Sequence, residues 1–431
     1  MADTTAPGGA DTLAPPSPTQ SNARTSESPV IDVFLKEPTG DTSIRPFSFK
    51  ASNEELADLK RRIAATRWPG RETVSDDTQG VQLATMKKLA DYWLNEHDWR
   101  KVEERLARYP QFVTEIDGVD IHFLHVKSRH PNALPLIVTH GWPGSILEQL
   151  KIIEPLIDPT AHGGTEADAF DLVIPSMPGY GFSGKPVTSG WGTEKIGRAW
   201  GTLMERLGYK KFAAQGGDWG ALIVDMMGVQ KIPGLVAIHT NMAGAIPPDL
   251  NALALAGAEA PAGLSEEEKR SFDHVSFFYK TGLGYALEMG NRAQTLYWIE
   301  DSPVGLAAWI IDHDIWTYRM IARAFDGAEE GLTKQDIVDN ITLYWLTRTG
   351  VSSARLYWEN KLPFFEPKNV EIPVVVSAFP EEICPCPRSW AEKAYPNLLY
   401  YKDHPKGAHF AAWEQPEALV GDLREGLRSL R

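Results

Sequence analysis

Apolar positions along this chain follow two periods, and the change from one to the other marks its organisation. Ser52 followed three residues later by Glu55 has the spacing of a helix capping box. Leu56, Leu59 and Ile63 then recur at helical intervals until Trp68-Pro69-Gly70 ends the run. A second amphipathic stretch, from about Thr85 to His97, keeps Leu89, Tyr92 and Trp93 on one side. Residues 30–110 thus predict a small, self-contained helical layer packed on something larger. Residues 1–29 are rich in Ala, Pro, Ser, Thr and Gly, with almost no large apolar side chain to offset the entropy of ordering, which predicts a disordered tail.

From residue 111 short apolar runs alternate with helical patterns. Val113 to Val126 breaks at Asp117-Gly118, a hairpin signal. Strands are predicted at Leu134–Thr139, Asp171–Pro175, Lys211–Ala214 and Leu235–His239. Between them lie three helices, carrying Ile146, Leu147, Leu150, Ile153 and Ile157, then Ile196, Ala199, Trp200, Leu203 and Leu207, then Leu222, Asp225 and Met226. That rhythm predicts an α/β fold, a mostly parallel sheet covered on both faces. Residues 245–360 interrupt it with helix-rich, aromatic-rich sequence, and the rhythm resumes at 361–431 with Ile372–Phe379, Asn397–Lys402 and a last helix, about Pro416 to Leu430. An insertion placed there predicts a lid over the carboxyl ends of the strands.

Composition removes several function classes. Asp plus Glu outnumber Lys plus Arg 57 to 43, a net charge of −14, which argues against binding a phosphate backbone. The only two cysteines, Cys384 and Cys386, cannot build a disulfide framework or a four-ligand structural zinc site. No run reaches the ~18 apolar residues of a membrane span, and no secretory signal pattern opens the chain, so a cytoplasmic location is expected.

The sharpest chemical signal is Gly216-Gly217-Asp218-Trp219-Gly220, between a predicted strand and a predicted helix. Flanking glycines permit the tight turn of a nucleophile elbow, whose middle residue is ordinarily Ser. The plainer reading is a glycine-rich turn in which Asp218 caps the next helix. If Asp218 is a nucleophile, it suits attack on an sp3 carbon, because the resulting alkyl ester can be hydrolysed, whereas attack on an acyl group would give a labile anhydride. His140-Gly141-Trp142-Pro143-Gly144-Ser145 also follows a strand. It is either an ordinary turn or a loop whose backbone N–H joins that of Trp219 in an oxyanion hole. Its Trp142-Pro143 bond belongs to the class that adopts cis readily. His409, between the last strand and the last helix, is where the base should stand, ahead of its nearest rival His404; the other nine histidines, His140 among them, read as packing or surface residues. Glu382 and Glu381 both follow the strand expected to carry the orienting acid, and spacing does not separate them.

Taken together, these segments resemble the epoxide hydrolases of the α/β-hydrolase superfamily, in the microsomal-type branch with an N-terminal meander. The resemblance spans about residues 31–431 and rests on Arg67-Trp68-Pro69, His140 to Ser145, Ser176-Met177-Pro178-Gly179-Tyr180-Gly181-Phe182-Ser183, Gly216 to Gly220, Ser302 to Ala307, and Gly407 to Ala411. It implies a meander over 30–110, an α/β-hydrolase core over 111–244 and 361–431, and a lid over 245–360. It further implies Asp218 as nucleophile, His409 as base, Glu382 rather than Glu381 as the charge-relay acid, and Tyr285 and Tyr357 as lid donors to the epoxide oxygen. The N–H groups of Trp142 and Trp219 would bind the oxyanion. No metal or cofactor is implied, in keeping with the lack of a visible ligand cluster. Ala408 stands where a second Gly usually precedes the base, and the polar N-terminal tail replaces the membrane anchor of mammalian members. A homodimer through the lid or meander is compatible with the resemblance. The lid aromatics Phe277, Phe278, Tyr285, Trp298 and Trp309 suggest an apolar epoxide, with juvenile-hormone-like, fatty-acid and xenobiotic epoxides all open. A haloalkane dehalogenase on the same fold is the alternative enzyme, an inactive binding module the non-enzymatic one. The dehalogenase needs no tyrosine pair, because halide leaves without a proton.

Overall fold

The computed structural model describes residues 38–431. The expected tail, residues 1–29, lies outside the described residues. Nine strands form one twisted sheet: β1 Arg45–Pro46, β2 Gln111–Ile116, β3 Val119–Val126, β4 Leu134–Thr139, β5 Phe170–Pro175, β6 Phe212–Gly216, β7 Leu235–Thr240, β8 Val374–Ala378 and β9 Leu398–Asp403. Their order is β1-β2-β3-β5-β4-β6-β7-β8-β9. The β1-β2, β2-β3 and β3-β5 pairs are antiparallel, and every pair from β5-β4 to β8-β9 is parallel. This is the α/β-hydrolase fold. β4, β6 and β8 are apolar along nearly their whole length and are buried on both faces, as a doubly covered parallel sheet requires.

Helices Thr193–Arg206 and Trp219–Val229 cover one face, and Leu150–Ile157 with Pro416–Gly426 cover the other. The segment 245–360 folds into eight helices, and among the described residues its only β pairing is an isolated bridge between Glu330 and Leu332.

The N-terminal region departs from the sequence expectation in two ways. It contains a third helix, Trp99–Leu106, capped by Asp98 and burying Trp99, Val102 and Leu106. It is also not self-contained. β1 adds to the edge of the sheet, and Leu59, Ile63, Met86, Leu89 and Trp93 enter the same apolar core as the lid. His97 and Arg105 both reach Asp339, a fully buried carboxylate on lid helix Lys334–Thr347, at 2.8 and 3.0 Å. A layer of three short helices buries too little surface to stand alone, so it shares a core with its neighbours.

The lid in turn holds the two loops that flank the elbow. Asn340 Nδ2 donates to the Pro143 carbonyl at 2.7 Å, and the Tyr344 hydroxyl donates to the Gly144 carbonyl at 2.8 Å. On the other side Tyr180 donates to the Ser353 carbonyl and Ser352 to the Gly179 carbonyl, at 3.0 and 2.6 Å. Helix Gly350–Glu359, which bears Tyr357, is thereby fixed to the loop after β5. No helix of the described residues is long and apolar enough to cross a membrane.

Candidate active site

Asp218 sits between the end of β6 and helix Trp219–Val229 with φ 50° and ψ −126°. A non-glycine residue there is strained, and such strain persists only where the surroundings enforce it. Here they do. A Cβ on Gly220 would stand 2.1 Å from the Thr139 carbonyl oxygen, so only glycine lets the helix start this close to β4. A Cβ on Gly141 would stand 2.2 Å from Asp218 Oδ1, so the neighbouring loop must also lack a side chain. Asp218 makes no side-chain cap to its helix, which disposes of the plainer capping reading.

The two carboxylate oxygens of Asp218 have different surroundings. Oδ1 accepts the Trp142 N–H at 2.7 Å, across the cis Trp142-Pro143 loop. Oδ2 faces His409 Nε2 at 3.4 Å. His409 Nδ1 lies 2.5 Å from Glu382 Oε1, which also accepts the Ile383 N–H at 2.7 Å. Glu381 is exposed and pairs through its backbone with Ala408. The structure therefore brings Asp218, His409 and Glu382 into one buried line and leaves Glu381 outside it.

Electrostatics follow from that line. Burial pushes the Asp218 carboxyl up, but the His409 hydrogen bond and charge, with help from the Trp219 N–H, outweigh it and hold the acid below its usual range. Burial pulls His409 down, and the Glu382 charge with the Asp218 bond reverses this, keeping the imidazole protonated well above its usual range. Glu382 is raised, mainly by burial, against the opposing pull of His409. The resting site is thus an Asp218–His409 ion pair backed by a second carboxyl.

Tyr285 and Tyr357 come from two adjacent lid helices, their ring centroids 5.9 Å apart. Tyr285 stacks on Trp142 at 5.1 Å, and Tyr357 stands edge-on to Trp219 at 4.7 Å. Burial, reinforced by the Asp218 charge, pushes both phenols well above their usual range, with each ring also raising or tempering the other. Both are therefore neutral donors, near enough to Asp218 to feel its charge. Trp142, Trp219, Tyr285 and Tyr357 supply the aromatic walls, with Phe364 behind Trp219. Two lid aromatics expected to shape the substrate face point elsewhere: Phe277 and Trp298 are 41% and 43% exposed.

Three groups escaped the sequence reading. Glu414 accepts the N–H groups of Ala408 and Phe410 at 2.8 and 2.9 Å, pinning the backbone on both sides of His409. Burial pushes Glu414 up to about 7. Glu148, buried beside Gly144, is pushed up to about 8 by burial and carries an oxygen with no partner among the described residues. The third group, His313, corrects the expectation that nine histidines only pack or face solvent. Its ring lies 4.7 Å from that of His409. His140 and His404 do keep to structural roles. His140 accepts the Met177 N–H and is pulled down to about 4 by burial, and His404 pairs with Asp422. A capping box advertises Glu55, but nothing local advertises Glu148, Glu414 or His313, whose partners are distant in sequence.

Asp218, His313 and His409 each offer a donor atom, all within 4.8 Å of one another, so the fold assembles a ligand-like cluster that the sequence did not show. A cation there would have to displace the Asp218–His409 ion pair.

Residues 44–149 match the family described as epoxide hydrolase N terminus, and residues 135–280 match the alpha/beta hydrolase fold family. The chain is 38% identical to epoxide hydrolase 1 of Oryctolagus cuniculus, covering 89% of this chain and 88% of that protein. The chain belongs to the epoxide hydrolases. It is also 45% identical to a candidate epoxide hydrolase of Stigmatella aurantiaca, over 90% of this chain and 86% of the relative. The crystal structure of juvenile hormone epoxide hydrolase from Bombyx mori superposes with a TM-score of 0.81 at 28% identity, covering 93% of this epoxide hydrolase and 99% of that chain.

Proposed function

We propose that this epoxide hydrolase opens an apolar epoxide to its vicinal diol in two covalent steps, with Asp218 as nucleophile. The observation that carries the reading is the unequal setting of the two Asp218 oxygens: Oδ1 is held by the Trp142 N–H, while Oδ2 faces His409, in a site where two neutral phenols feel the Asp218 charge. In the first step Oδ2 attacks an epoxide carbon, and the C–O bond breaks as Tyr285 and Tyr357 donate to the oxygen and supply its proton. The ester removes the negative charge that helped hold the His409 proton, so the imidazole can now release it through solvent to the phenolate left by the first step, restoring the phenol, and act as a base. In the second step water attacks Cγ, and His409 takes its proton while Glu382 steadies the imidazolium. Oδ1 carries the oxyanion against the N–H groups of Trp142 and Trp219. Collapse breaks the Cγ–Oδ2 bond, His409 protonates the departing alkoxide, and His409 then takes the proton of the new Asp218 carboxyl, restoring the ion pair.

The aromatic walls support an apolar substrate, such as an aryl or alkyl epoxide. A cytoplasmic location and a homodimer remain part of the proposal, to be tested by cell fractionation and light scattering.

The test is a single turnover of excess enzyme with styrene oxide in heavy-oxygen water. The first diol is expected unlabelled, with the label in the peptide containing Asp218. A labelled first diol would mean that water attacks the epoxide directly and would remove Asp218 as nucleophile. Halide release from bromoalkanes, with no diol from any of a varied set of epoxides, would move the assignment to a dehalogenase.

A further inference from the structure

The Asp218–His409–Glu382 line has a second acid–imidazole pair beside it. Asp312-His313-Asp314 joins lid helices Pro303–Ile311 and Ile315–Phe325. Asp314 is the N-cap of the second helix, its Oδ1 accepting the Thr317 N–H at 2.8 Å. Its other oxygen, Oδ2, lies 3.0 Å from His313 Nδ1. One carboxylate therefore starts the helix and orients the imidazole. In its neutral form, with that carboxylate as acceptor, the imidazole carries its proton on Nδ1 and leaves a lone pair on Nε2. His313 is 1% exposed, and its Nε2 has no hydrogen-bond partner among the described residues. The ring faces His409 at 4.7 Å and Tyr285 at 5.0 Å, so it stands inside the site and not behind it. A buried nitrogen without a partner costs free energy unless something fills the gap.

The spacing indicates what fills it. Donor atoms of Asp218, His313 and His409 all lie within 4.8 Å of one another. The two imidazoles make no direct hydrogen bond to each other, since neither Nε2 has a partner among the described residues, and two groups each about 2.8 Å from one water oxygen, at a tetrahedral angle, stand ~4.6 Å apart, inside that limit. A hydrolytic water has two hydrogens. His409 removes one, and in a site walled by aromatic rings the other also needs an acceptor if the oxygen lone pair is to point at Cγ of the ester.

Resting on the two-step reading above, we propose that His313 is a catalytic residue of the second step: its Nε2 accepts the spare hydrogen of the hydrolytic water, while His409 takes the other. The covalent balance is that of the second step. The water O–H bond to His409 breaks, the water oxygen bonds Cγ, the Cγ–O(alkyl) bond breaks, and the proton passes from His409 to the departing oxygen. His313 gains and loses nothing. It fixes the direction of attack, and Asp314 fixes His313.

Two substitutions separate this role from packing. His313→Asn places its amide near the Nδ1 position, so it can still bond Asp314 but leaves the Nε2 position empty. His313→Gln reaches the Nε2 position with an amide oxygen. Full-length wild type and both variants are mixed with styrene oxide, and the alkyl-enzyme is followed by intact mass on rapid quenching, with thermal melting as a fold control. In His313→Asn, decay of the adduct is expected to slow about 30-fold, as for one lost hydrogen bond in a buried site, while its formation stays within about threefold. His313→Gln should restore decay to within about fivefold of wild type. Equal decay in the two variants and wild type, or formation and decay falling together, would overturn the role of His313 and leave the Asp218 reading intact. If wild type forms no adduct at all, the Asp218 reading falls and this inference with it.

Discussion

The lid tyrosines offer the most discriminating test of the chemistry, because each can lose its hydroxyl without losing its ring. Tyr285 packs face to face on Trp142 with an interplanar angle of 16°, and Tyr357 meets Trp219 at 85°. Phenylalanine preserves both contacts, so Tyr285→Phe and Tyr357→Phe should each shift the melting temperature little. The chemical cost is different. On the proposed mechanism, opening the epoxide puts developing negative charge on an oxygen that two buried, neutral phenols would stabilise. Removing one such donor costs about 2.7 kcal/mol, a roughly 100-fold loss in the alkylation rate. With one phenol left, a proton source remains. With none, the oxygen must leave as a free alkoxide, so the double variant should fall by more than the product of the single losses, beyond ~10⁴-fold. Stopped-flow tryptophan fluorescence suits the assay, since Trp142 and Trp219 touch both rings and flank Asp218. Adduct decay, followed separately, should change less than about tenfold, because the phenols act on the epoxide oxygen and not on the ester carbonyl. A double phenylalanine variant that alkylates within tenfold of wild type would refute the reasoning, and so would single variants that slow decay instead of formation.

Two further predictions follow from the buried carboxyls. Glu382→Gln leaves an amide that cannot stabilise the His409 imidazolium, so adduct decay should drop about 1000-fold while formation persists; Glu381→Gln, on the exposed neighbour, should leave both steps unchanged, and rapid-quench mass measurement distinguishes them. Glu148 is raised to about 8 in the folded protein against about 4.5 unfolded, so between those values the folded state holds the extra proton and stability declines as pH rises. Glu148→Gln removes that decline. Its melting temperature relative to wild type should climb from pH 5 to pH 8, and a constant difference across that range would show that Glu148 does not titrate as described.

How much could be read from the sequence depended on the range of each interaction. The capping box at Ser52 and Glu55 is a contact over three residues, and it stands as the sequence wrote it, with both reciprocal bonds made. The Asp117-Gly118 break gave the β2–β3 hairpin for the same reason, since both residues take positive φ. The alternation of short apolar runs with amphipathic helices announced the parallel sheet, because doubly buried strands must be apolar throughout. Glycines around Asp218 announced the elbow, since backbone crowding leaves those positions no alternative.

What the sequence left open were choices made across the fold. Glu381 and Glu382 differ by one position in the chain. Only the tertiary structure turns one toward His409 and the other to solvent: beyond β8 the Glu381 backbone bridges to Ala408, and the bend that follows carries the Glu382 carboxylate to His409. Trp99–Leu106 and β1 gain their stability from the sheet edge and the lid, so local pattern alone understated the N-terminal layer. His313 has an ordinary local role as the neighbour of a helix cap. Its place beside His409 exists only because the lid closes over the carboxyl ends of β6 and β8. Sequence determined the elements and the turn at Asp218 through short-range sterics and periodicity. Which ionisable groups share one dry volume was decided by packing, through contacts between residues far apart in the chain.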